Sequence, residues 1–147
     1  MITSIVNAIH TFAGIQLRNT CNAIMQKQGH NEPTGRAKIT PAYNLPCKYV
    51  IHTVGPIVQG YLTENDCELL KSCYLSCLKL AEKNGVESIA FCCISTGVFG
   101  FPQREAAKIA VDTVTEYKAR TGSDIKVIFN VFKNDDLEIY REVLMNE

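Results

Sequence analysis

Apolar positions along this chain recur with two different periods. From Ile5 to Gln28, residues Ile5, Ile9, Phe12, Cys21, Ile24 and Met25 fall near helical spacing. That stretch reads as one helix stopping at Gly29, with Gly14 an unfavourable residue in its middle. The polar run from His30 to Lys38 holds Pro33 and Gly35 and reads as a loop. Ala37 to Tyr43 is a short edge strand limited by Pro41, and Tyr49 to Val54 is a stronger strand closed by Gly55-Pro56. Asn65 and Asp66 can cap the next helix, which runs to about Lys83 and ends at Asn84-Gly85. Its buried stripe is Leu70, Cys73, Tyr74, Cys77, Leu78 and Ala81.

Ser88 to Ile94 is almost wholly apolar, the pattern of a strand buried on both faces of a parallel sheet. Beyond a turn with two glycines, Pro102 opens a helix to about Arg120, with Ala106, Ala107, Ile109, Ala110 and Val114 on one side and Thr121-Gly122 closing it. Lys126 to Phe132 reads as another buried strand. Asn134 or Asp135 then caps a last helix whose Leu137, Tyr140, Val143 and Leu144 face inward. Helices alternating with short buried strands predict an α/β three-layer domain.

The bulk numbers narrow this without redirecting it. A chain of 147 residues, 46% hydrophobic and 20% charged, is one globular domain. Lys plus Arg equals Asp plus Glu at 15 each, and no basic run occurs, so nothing recruits nucleic acid. No stretch is apolar enough to span a membrane, and no positive charge precedes the short apolar run near Met1 as a signal peptide would require. The seven cysteines sit partly inside apolar runs, which implies a reducing, cytoplasmic setting without disulfides.

Candidate chemistry centres on Ser95-Thr96-Gly97-Val98-Phe99-Gly100. A strand, a glycine-rich loop and a helix in that order point backbone N–H groups and a helix N-terminus at an anion. A plain strand-to-helix connection fits the same residues. No Gly-Lys-Ser/Thr follows, so this is not a Walker loop, and the dinucleotide spacing is absent. Cys92 and Cys93 are adjacent on a strand and point to opposite faces, which rules out joint chelation. His52 lies mid-strand, where a buried, hydrogen-bonded role competes with that of a general base.

Residues 34–56, TGRAKITPAYNLPCKYVIHTVGP, resemble the middle of a macro domain, the ADP-ribose-binding α/β module, and ISTGVFGFP at 94–102 resembles that family's diphosphate loop. NAIHTFAGIQLR at 7–18 and ELLKSCYLSCLKLA, with SIAFCCISTGVFGFP, look closest to the zinc-containing subgroup, whose members remove ADP-ribose from proteins. The resemblance implies a mixed sheet with helices on both faces. It puts the diphosphate on the N–H groups of Thr96 to Gly100, with the Ser95 and Thr96 hydroxyls as further donors and Phe99 against the distal ribose. Phe132 matches a position near the adenine, although a core aromatic would read the same way. Asn7, Ala8, Ile9 and His10 match the end of the family's other ligand loop.

The same resemblance exposes departures. The family's first one or two strands, with an adenine-binding aspartate and an Asn-Ala-Ala-Asn stretch, have no counterpart before the first helix, so the chain reads as N-terminally short. Aligned on Asn7 to His10, the zinc subgroup's last cysteine falls on Ser4 and its aspartate on Val6, neither able to do that work, so no zinc is expected. Three readings follow: a protein-ADP-ribose hydrolase, a catalytically incomplete ADP-ribose-binding module, and a truncated remnant that binds nothing. A missing strand would also leave an unpaired sheet edge, which predicts a homodimer through that edge.

Overall fold

The structure, a computed structural model, describes residues 4–146, with side chains from Ala8 onward. Nine elements follow one another: α1 (Ser4–Ala13), α2 (Ile15–Gln28), β1 (Ala37–Pro41), β2 (Tyr49–Thr53), α3 (Glu64–Lys83), β3 (Ser88–Phe91), α4 (Gln103–Thr121), β4 (Lys126–Phe129) and α5 (Asn134–Met145). None of these helices is long and apolar enough to cross a membrane. All seven cysteines are free thiols.

The single first helix expected from the sequence is two helices. Gly14 takes φ +92°, a conformation no residue with a side chain adopts easily, and the chain turns there. The β1–β2 turn holds the break in place: Asn44 N–H donates to Ala13 O, and the Asn44 amide lies where a Cβ on Gly14 would go. Phe12 and Ile15 flank the break at 73% and 65% exposure, so Phe12 is not the core residue that its spacing suggested.

Among the described residues, four strands form two separate pairs. β1 and β2 are antiparallel, with Lys38 opposite His52 and Thr40 opposite Val50, while β3 and β4 are parallel, with Ile89 opposite Val127. No ladder joins β2 to β3 among the described residues. α3 bridges the pairs from below, since Ile51 of β2 and Ile89 and Phe91 of β3 pack into one core with its Leu70, Cys73, Tyr74, Cys77, Leu78 and Ala81. The stripe read from the sequence is the buried stripe of α3. Its cap is Thr63 rather than Asn65 or Asp66 acting alone: Thr63 Oγ1 accepts from Asp66 N–H, and the Asp66 carboxylate accepts from Thr63 N–H at 3.0 Å, a reciprocal capping box.

Around β3 and β4 an aromatic row completes the core. The Tyr74 and Phe91 rings meet edge-on at 4.9 Å, and Phe129 lies 5.1 Å from Tyr140 of α5. These contacts all lie on one face of the pair. On the other, Ser88, Ala90, Lys126 and Ile128 are exposed. The expected strand from Ser88 to Ile94, buried on both faces, is therefore shorter and one-sided: apolar composition marked a strand, but what covers each face is decided elsewhere in the chain. Likewise β4 stops at Phe129, Leu144 is exposed, and α5 begins after Lys133 without a side-chain cap.

Candidate functional site

Parallel pairing sends β3 and β4 out of the sheet on the same edge, and Asn130 N–H extends the ladder there by donating to Phe91 O at 2.8 Å. In open α/β sheets, that carboxyl edge is where ligands sit. The glycine loop leaves β3 at this edge, and Phe132 follows β4 there. Phe132 is 96% exposed, which excludes the core reading and leaves a bare ring beyond the last strand.

Local hydrogen bonds close the base of the loop. Ser95 adopts the left-handed φ +64°, Phe101 N–H donates to Ser95 O at 3.0 Å, and Gly100 N–H to Gly97 O at 3.0 Å. Gly100, at φ +70°, then hands the chain to buried Phe101 and to α4, whose N-terminus at Pro102 has no side-chain cap. Among the described residues, the N–H groups of Thr96, Gly97, Val98 and Phe99 engage no partner. A Cβ on Gly97 would meet nothing within 4 Å, so this side of the loop is open. Four successive free donors beside an uncapped helix start can hold an anion without a lysine.

The two hydroxyls differ. Thr96 Oγ1 donates to Cys93 O at 3.3 Å and serves the turn. Ser95 Oγ is buried and has no partner. Phe99 is half-buried, with its carbonyl accepting from Val58 N–H at 2.9 Å, and Val98 is exposed. The segment after β2 thus braces the loop. Gly55 and Val58 take part in that brace, and sequence reasoning took Gly55 for a strand stop only, because its contact with Ser95 exists only in the folded chain.

The first-helix candidates lie elsewhere. The side chain of Asn7 falls outside those described; Ala8 is exposed, and Ile9 and His10 are half-buried within α1. His10 Nδ1 is buried without a partner. His10 lies close enough to His52 for its charge to matter: burial first, and the His10 charge second, push the His52 pKa below its usual 6.5. His52 Nε2 pairs with Thr40 Oγ1 at 2.9 Å, a tie across β1 and β2. The structure therefore puts Ser95 to Gly100 and Phe132 beyond the carboxyl ends of β3 and β4, while Ala8, Ile9 and His10 lie on α1.

Among the described residues, no three His, Cys, Asp or Glu side chains converge on one point. Burial, aided by the Asp136 charge, raises the Cys93 thiol to about 11, which makes it a poor nucleophile near neutral pH. Ser4 and Val6, on which the subgroup's cysteine and aspartate align, have side chains outside those described.

Comparison with known proteins places this geometry. The family model described as Macro domain matches residues 1–110. A protein-ADP-ribose hydrolase from Treponema medium is 63% identical over 138 residues, which cover 94% of this chain and 53% of that protein. The chain spans about half the length of the curated relatives it matches. A solved Oceanobacillus iheyensis macrodomain with ADP superposes at a TM-score of 0.89 with 35% identity, covering 98% of this chain and 76% of that one. A Trypanosoma brucei macrodomain in complex with ADP-ribose gives 0.82 and 35%, covering 97% and 57%.

Proposed function

The chain belongs to the macro domain family, and from that premise we propose that it binds ADP-ribose with the diphosphate on the N–H groups of Thr96 to Phe99, the Gly100 N–H expected among them being taken by Gly97 O. The observation that carries this reading is the row of unengaged donors from Thr96 to Phe99 at the start of α4. Phe99 flanks the distal ribose, and the exposed ring of Phe132 offers a face to the adenine. Recognition of this kind needs no metal, and none is assigned. The partner is free ADP-ribose or an ADP-ribosylated protein, with no role for nucleic acid.

Removal of ADP-ribose from proteins is the second reading, favoured by 63% identity to a protein-ADP-ribose hydrolase. In this chain it would rest on holding the substrate so that its own phosphate assists water. Calorimetric titration with ADP-ribose, with AMP as control, tests the binding reading. Micromolar affinity for ADP-ribose and much weaker affinity for AMP are expected; no heat and no thermal shift would refute it. A de-modification assay on ADP-ribosylated protein, with zinc content measured on the same preparation, tests the second.

A further inference from the structure

Resting on the proposed diphosphate site, we propose that Gly55, together with Val58, is the positioning element of the glycine loop. Gly55 is buried just beyond β2, with Val54 between. A Cβ there would fall inside the Ser95 hydroxyl, 2.7 Å from Ile94 Cγ2 and 3.3 Å from Ser95 Cβ. Real Cβ atoms do not approach so closely, so only glycine lets the residues entering the loop lie against the end of β2.

Ser95 is the residue that most needs this support. It holds φ +64°, a conformation L-residues visit rarely and keep only when their surroundings enforce it. Its hydroxyl is buried without a hydrogen bond, so it is held there by packing and not by a polar partner. At the other end of the loop, Val58 N–H donates to Phe99 O at 2.9 Å. One segment, residues 55–58, therefore grips the loop on both sides of the four unengaged donors. Turning Ser95 out of its left-handed state would redirect the Thr96 N–H and every donor after it. Gly55 touches no ligand in this scheme; it acts through Ser95.

The test compares Gly55→Ala, Val58→Pro and the double variant Gly55→Ala/Ser95→Gly with the parent chain, reading ADP-ribose affinity by calorimetry and loop amide shifts by NMR without ligand. Gly55→Ala should move the amides of Thr96 to Phe99 and weaken ADP-ribose by about tenfold or more, the cost of about one charge-assisted hydrogen bond. Ser95→Gly in that background removes the obstructing hydroxyl and should restore much of both readouts. Val58→Pro removes the donor to Phe99 and should weaken binding even if Gly55→Ala fails to fold. Gly60→Ala is the control: it has φ +83° but no atom within 4 Å of a Cβ, so it strains the backbone without touching the loop and should keep the parent affinity. Parent-like amide shifts and affinity in Gly55→Ala would overturn the inference and leave the ADP-ribose reading standing. A parent chain that fails to bind ADP-ribose would refute that reading, while the amide shifts would still decide the role of Gly55.

Discussion

Phe132 shows how much one exposed side chain can decide. A ring that is 96% exposed contributes almost nothing to the core, so Phe132→Ala should leave the melting temperature unchanged. If the ring stacks on the adenine, the same change should weaken ADP-ribose by roughly 1–3 kcal/mol in a titration; unchanged affinity would remove Phe132 from the site. Gly97 gives the complementary case. Its side of the loop is open, so Gly97→Val is tolerated by the fold but fills the space a phosphate would take, and affinity should fall by about tenfold or more. His52 carries a pH signature. Its pKa is lowered in the fold, so the unfolded chain binds the proton first and stability is lost as pH falls below 6.5. Thermal melts between pH 5 and 7.5 should show that slope, and His52→Gln should flatten it. The glycine loop was legible because glycine spacing after a strand is a local signal. The unpartnered Ser95 hydroxyl and the role of Gly55 were not, since both are contacts between segments far apart in sequence.

Among the elements, α3 was the most legible and the first helix the least. Twenty residues with a continuous apolar stripe leave little choice of period, and every position of the expected stripe is buried. Only its cap was misplaced: Thr63 and Asp66 satisfy each other reciprocally, one residue before the element the apolar pattern marks. Thr63→Ala should therefore cost about 1 kcal/mol, read as a drop of about 2–4 °C in the melting temperature. An unchanged melt would mean that Asp66 alone caps the helix. For α1 and α2, helical spacing runs straight through Gly14, and only tertiary contact with Asn44 turns a weak position into a break. β3 failed in the opposite sense. Ser88 to Ile94 reads as doubly buried from its composition, yet Ser88 and Ala90 are exposed and the strand ends at Phe91.

At the scale of the whole molecule, the separation of the strands into two pairs has a physical consequence. β2 bonds only to β1 and β3 only to β4 among the described residues, so each pair presents backbone donors and acceptors along its outer strands. Unpaired edges are templates for another strand, and this chain blunts them little: β3 carries Ser88, Ile89, Ala90 and Phe91, with no charge and no proline. The proposed homodimer rests on this feature, with the β3 edge of one copy meeting a strand edge of another. Light scattering over a concentration series should show a shift from monomer to dimer. Ala90→Pro, which removes an N–H from the exposed face of an edge strand, should suppress that shift more than it lowers the melting temperature. A single monomeric mass at every concentration would show that the core on α3 is sufficient by itself and that the edges stay solvated. ADP-ribose should then saturate the chain at the same affinity whatever its concentration, whereas edge pairing beside the loop would couple ligand affinity to self-association.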